Sequence, residues 1–286
     1  LYPFHCGTNL CMKPETRAGQ LALKHCTAAN IPFTMLTNVF SWDDRDGLKR
    51  LQAELKHYDG AIDGLFWRNS VNAFVQQFQK GYIITDGTLA QAPGIPVINY
   101  LSPVVHRFKA RRKITPVGIV VHEPVARGVS RIVNILSRRH LGVHFIVSSE
   151  GTITQHADTH DRLGHAGRWN KHTLGLEVEN IYYGHLARGE EKKRIISAKW
   201  AHKKRYVVPT KEALDSATDL IAYLCDVVET IPQRWLGLKA NNTMRMGRLP
   251  RDLRDPKQPG IWAHTYFAHA DGGYIVEYAK EKLEDA

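Results

Sequence analysis

Apolar residues are spaced in two different ways along this chain, and the change falls before its middle. Leu48, Leu51, Leu55 and Tyr58 sit at i, i+3, i+7 and i+10, and Val71, Phe74 and Phe78 repeat the theme. Such spacing lines one face of a helix, so two short amphipathic helices are expected behind Asp46 and Ser70 as N-caps. Tyr58-Asp-Gly-Ala-Ile-Asp-Gly64 between them and Asp86-Gly87 after them are turn chemistry. Farther on, short apolar runs take over: Val117–Val121, Val143–Val147, Thr152–Gln155 and Leu174–Val178 read as strands. Val129, Ile132, Val133, Leu136 and His140 mark a helix between the first two, and Glu150-Gly151 supplies a hairpin turn between the second and third. Pro209-Thr210 opens another helix, with Leu214, Ala217, Ile221, Leu224 and Val228 on one face and Thr210 as its N-cap. Strand, helix, strand order implies an α/β domain with a mixed central sheet flanked by helices.

Pro93, Pro96, Pro103 and Pro116, with Gly87 and Gly94, separate the two patterns. Proline removes a backbone donor and breaks helix and central strand alike. The expected organisation is therefore a small helical domain over 1–90, a linker over 91–115 and the α/β domain over 116–286. A chain of 286 residues, 43% of them hydrophobic, can bury a core in each. The Tyr183–Arg205 stretch is densely charged and reads as a surface insertion.

Charge narrows the partners. The net charge is +11, and it is concentrated after residue 105, where 30 basic residues face 20 acidic ones, against 9 and 8 before. A basic surface gathers anionic partners: nucleic acid, a membrane or a cell-wall polymer. No helix-turn-helix, zinc finger or aromatic RNA-binding motif accompanies the charge, so specific nucleic-acid binding is not expected. No run approaches the ~18 apolar residues of a membrane span, so no transmembrane segment is expected either. Cys6, Cys11, Cys26 and Cys225 are too few for a disulfide scaffold. The first three, beside His5 and His25, leave open a small structural zinc site against free thiols.

Candidate chemistry sits at two distant places. His122 closes the Val117–Val121 strand, and Trp262-Ala-His-Thr-Tyr-Phe-Ala-His-Ala-Asp-Gly-Gly273 offers His264, His269 and Asp271. Two histidines and a carboxylate can hold zinc in an open site that keeps one position for water.

Five segments occur in an order that resembles the type 2 N-acetylmuramoyl-L-alanine amidases, whose fold also includes the peptidoglycan recognition proteins. They are the strand ending in His122, Val143-His-Phe-Ile-Val-Ser-Ser-Glu-Gly-Thr-Ile-Thr-Gln155, Leu163-Gly-His-Ala-Gly167, Thr173-Leu-Gly-Leu-Glu-Val-Glu-Asn180, and His264 to Gly273. Residues 47–89 resemble the three-helix peptidoglycan-binding domain through Leu51-Gln52, Ile62-Asp-Gly-Leu-Phe66, Ala73-Phe-Val-Gln-Gln-Phe-Gln79 and Asp86-Gly87. Trp67 stands there where that family usually has glycine, and Ser70 where it often has threonine. The pair of resemblances is that of a modular phage endolysin.

The resemblance implies one catalytic Zn²⁺ on His122, His264 and Asp271, with Glu177 as the catalytic carboxylate and Glu179 as its alternative. It places His269 where the family carries an oxyanion-stabilising Lys or His. His264 and Asp271 are only seven residues apart, shorter than usual, which keeps His269 as the rival third ligand. His165 is expected to line the substrate groove, His144 to be packed on its strand, and Asp63 and Phe66 to contact the polymer from the N-terminal module. The implied reaction is hydrolysis of the amide between N-acetylmuramic acid and L-alanine in bacterial peptidoglycan. The alternative is a non-catalytic peptidoglycan-binding protein on the same fold, a class that typically lacks the third ligand. A monomer is expected, held in the host cytoplasm until lysis and then acting on the wall, or secreted if a leader has been removed.

Overall fold

The structure, a computed structural model, describes residues 45–60, 68–110 and 112–284. The chain divides into two compact units, Leu1–Pro93 with Ile98–Val105, and Gly94–Val97 with His106–Ala286. Cys6, Cys11, Cys26, His5 and His25, and the stretch carrying Asp63 and Phe66, lie outside the described residues.

In the first unit, helices α1 (Arg45–Glu54) and α2 (Arg68–Phe78) precede a hairpin of β1 (Tyr82–Thr85) and β2 (Thr88–Gln91). The helical spacing of the sequence becomes a core of Leu51, Leu55, Val71, Phe74 and Phe78, joined by Ile84 from the hairpin. A wholly helical module is the sequence expectation, and the hairpin departs from it. Asp86 and Gly87 both take positive φ, the backbone of a tight two-residue hairpin turn, and the flanking strands are four residues each, too short for alternation to show. Tyr100, Leu101 and Val105, from the proline-rich segment, complete this core.

The second unit has the expected mixed α/β architecture. Its sheet has the order β10 (Gly260–Ala263), β4 (Gly118–His122), β7 (Thr173–Val178), β5 (Phe145–Val147) and β6 (Ile153–Gln155), with Val97 of the two-residue β3 (Val97–Ile98) at the edge beside β6. β10, β4, β7 and β5 run parallel, and β6 returns antiparallel to β5. Every residue of β4 and β7 is buried, as interior parallel strands covered on both faces require. Helix α3 (Val129–Arg138) buries Ile132, Val133 and Leu136 against Val143, Ile146 and Leu163.

Helix α4 (Lys211–Val227) begins at Thr210, whose hydroxyl accepts the Ala213 N–H at 3.2 Å, and buries Leu214, Ala217, Leu220, Ile221 and Leu224. Helix α5 (Gly273–Glu284) packs beside α4 and β10. The charged insertion folds as a small hairpin, β8 (Ile195–Ser197) and β9 (Arg205–Val207), over an aromatic cluster of Tyr182, Trp200, Tyr206 and Tyr274. No helix among the described residues is long and apolar enough to cross a membrane.

Candidate metal centre and active site

Parallel strands end together, so residues at their carboxyl ends converge although they are far apart in sequence. His122 is the last residue of β4, and His264 follows directly on β10, its parallel neighbour. From His264 the chain makes one 3₁₀ turn, passes Ala268 at a left-handed φ of 77°, and is closed by a Thr265 N–H to Asp271 carbonyl bond of 2.8 Å. That compact loop is why seven residues suffice to return Asp271 to His264. Gly272 then has φ 80°, and a Cβ on it would lie 2.1 Å from the Val121 carbonyl oxygen. Only glycine lets the Asp271 turn press against β4 there.

One donor atom each from His122, His264 and Asp271 lie within 4.8 Å of one another. His264 Nδ1 donates to both Asp271 oxygens, at 3.0 and 2.9 Å, and His122 Nδ1 stands 4.0 Å from Asp271 Oδ2. Burial holds the His122 imidazole well below its usual range, reinforced by the neighbouring His264, His165 and His269 rings. Imidazole nitrogens and carboxylate oxygens are both metal donors, so two histidines and a buried carboxylate suit a metal ion. His269 occupies a different place: its ring stacks on His264 at 3.9 Å, and it is exposed.

Glu177 pairs with His122 across the parallel ladder of β4 and β7. Its Oε2 is buried without a hydrogen-bond partner among the described residues. Burial, then the Asp271 and Glu123 carboxylates, push its pKa up to about 8. Glu179 is committed elsewhere: its oxygens accept the Gly128 N–H at 2.6 Å and the Ser149 N–H at 3.2 Å, tying the start of α3 to the turn after β5.

His165 lies against His122 rather than apart from it, with its Nδ1 3.1 Å from His122 Nε2. Burial, with His144 nearby, brings its pKa down to about 3. His144 is fully buried beside β5, as its place in the apolar run suggests, and burial lowers it to about 4.

Three residues without a role in the sequence reading support the Asp271 turn. Glu123 is buried and receives the Gly272 N–H at 2.7 Å, the Asn180 amide at 2.8 Å and the Tyr206 hydroxyl at 2.7 Å. Its own N–H donates to Asp271 Oδ2 at 3.3 Å. Burial raises the Glu123 carboxyl to about 7 against these hydrogen bonds. The one available signal was position, a carboxylate immediately after a candidate ligand; the partners lie up to 149 residues away.

The chain can be compared with known proteins on this basis. No curated protein matches it. Among solved structures, the N-acetylmuramoyl-L-alanine amidase LysC from Clostridium intestinale URNW is 16% identical, with 66% of this chain and 97% of that one covered and a TM-score of 0.41. Drosophila peptidoglycan recognition protein SA is 12% identical, with 63% and 84% covered and a TM-score of 0.35. The family model described as N-acetylmuramoyl-L-alanine amidase matches residues 111–272, a span that contains His122, Glu177, His264 and Asp271. That span is more than half of the 286 residues, and the chain belongs to the N-acetylmuramoyl-L-alanine amidase family.

Proposed function

We propose that this protein is a peptidoglycan hydrolase that cleaves the amide bond between N-acetylmuramic acid and L-alanine, using one zinc ion held by His122, His264 and Asp271. The observation that carries this reading is the convergence of those three donors beside Glu177, whose buried Oε2 has no partner among the described residues. A zinc ion at such a donor set supplies Lewis acidity that polarises a carbonyl and acidifies water.

The chain's own groups would manage the protons and the charge. Glu177, register partner of His122, can as a carboxylate take a proton from the attacking water and return it to the departing alanine amine. His269, exposed beside His264, can offer an imidazole N–H to the oxyanion that develops on the carbonyl oxygen. The first unit would serve as the polymer-binding module and raise the local concentration of substrate.

The test is a digest of purified peptidoglycan. The protein is expected to release free amino groups without new reducing sugars, to lose that activity to a chelator and to regain it with Zn²⁺. New reducing ends, chelator-resistant activity, or binding to peptidoglycan without release would overturn the reading.

A further inference from the structure

His165 has hydrogen-bond partners on both ring nitrogens, and they differ in kind. Its Nε2 lies 3.2 Å from the Thr173 carbonyl oxygen, and its Nδ1 lies 3.1 Å from His122 Nε2. A carbonyl oxygen only accepts, so the His165 proton must be on Nε2. In a neutral imidazole the other nitrogen is then an acceptor, which obliges His122 to donate from Nε2. The remaining nitrogen of His122, Nδ1, is left with a free lone pair, and it is the atom that faces Asp271 at 4.0 Å.

The surroundings of His165 are built to hold it there. Gly175, on β7 two residues before Glu177, lies beneath its ring, where a Cβ would come within 2.9 Å of His165 Cγ and 3.0 Å of its Nδ1. His144 also holds that glycine. Its Nε2 donates to the Asp161 carbonyl at 2.7 Å, so its Nδ1 is the acceptor that receives the Gly175 N–H at 3.0 Å. The Asn170 side chain receives the His165 backbone N–H at 2.9 Å and anchors the loop. Among the described residues, the ring's hydrogen-bond partners are His122 and the Thr173 carbonyl, and no carboxylate is one of them.

We propose that His165 is a positioning residue whose hydrogen bond fixes His122 as the Nε2–H tautomer, leaving the Nδ1 lone pair directed at the metal position. This rests on the zinc reading given above and assigns His165 a role on the ligand rather than on the substrate. Partners that orient a metal-binding histidine through its second nitrogen commonly change metal affinity 10–100-fold when removed. Here the partner is another imidazole, whose own tautomer is set by the Thr173 backbone.

Two measurements on the full chain decide it. The first records the imidazole tautomers of the metal-free protein by long-range ¹H–¹⁵N NMR. His122 and His165 are expected to be protonated on Nε2, and an Nδ1–H form of His122 overturns the proposal without any variant. The second is Zn²⁺ affinity by competition with a chromophoric chelator. His165→Gln can still donate to Thr173 and accept from His122, and should bind Zn²⁺ within a few-fold of the parent.

His165→Phe fills the space without a nitrogen acceptor, and Gly175→Ala displaces the ring. Both should bind on the order of 10–100-fold more weakly. Parent-like affinity in folded His165→Phe overturns the proposal. Absence of Zn²⁺ binding by the parent would sink the metal reading itself, whereas normal binding with the opposite His122 tautomer sinks only the role of His165. Peptidoglycan enters neither measurement, so a failure of the amidase reading would appear separately as absent amide cleavage.

Discussion

Glu177 and His122 are register partners on adjacent parallel strands, so the candidate acid–base group and the first candidate metal ligand share one face of the sheet. This fixes their separation by backbone geometry, not by a loop. Glu177→Gln should keep Zn²⁺ binding and lower the turnover number about 100-fold or more, since it retains shape and removes the exchangeable proton. Steady-state hydrolysis of a muramyl peptide, alongside zinc titration, checks both halves.

The same residue has a pH signature in the metal-free protein. Its carboxyl is raised from 4.5 to about 8, so between those values the folded state binds more protons than the unfolded state. Its contribution to stability is therefore full below pH 4.5 and is lost as pH rises through about 8. Relative to the parent, Glu177→Gln should flatten the decline in stability between pH 5 and 8, by on the order of a few kcal/mol. Denaturant melts at several pH values without zinc provide the comparison, and identical slopes would contradict it.

Asp271 and His269 compete for one role in the sequence, and they separate in the structure. Asp271 is buried against His264, whereas His269 is stacked outside it. Asp271→Ala should lower Zn²⁺ affinity by at least about 100-fold, while His269→Ala should leave it within a few-fold and reduce turnover. Elemental analysis and isothermal titration distinguish the two outcomes; loss of zinc on changing His269 would exchange their roles.

Gly272 should tolerate no side chain. With φ at 80° and the Val121 carbonyl 2.1 Å from a would-be Cβ, Gly272→Ala must move the turn that carries Asp271. A destabilisation of about 2–3 kcal/mol and a weakened zinc site are expected, measured by denaturant melts and metal titration.

Much of the second unit was legible because its strands are buried on both faces and so appear as uninterrupted apolar runs. His122 and Glu177 stood out as polar residues ending or interrupting such runs. The parts that were not legible depend on distance in sequence. Glu179 looked equivalent to Glu177 by alternation, yet its oxygens are taken by Gly128 and Ser149, which no local pattern reveals. Tyr206 directly follows the stretch read as a charged surface insertion, and its hydroxyl reaches Glu123, 83 residues earlier. Of the rings packed on it, Trp200 is set among lysines and arginines and Tyr274 is 68 residues farther on, so the composition of the stretch concealed a packed cluster.

Glu123 also bears on the order in which the chain assembles. Three donors reach its carboxylate, the side chains of Asn180 and Tyr206 and the backbone N–H of Gly272, at sequence separations of 57, 83 and 149 residues. Contacts that close such long loops form late, because chain entropy opposes them until the rest of the sheet is in place. By this argument a partly folded chain would have His122 on its strand before His264 and Asp271 stand beside it. On the proposed zinc reading, tight capture of the ion would be a property of the finished fold, a latch that closes behind folding without guiding it.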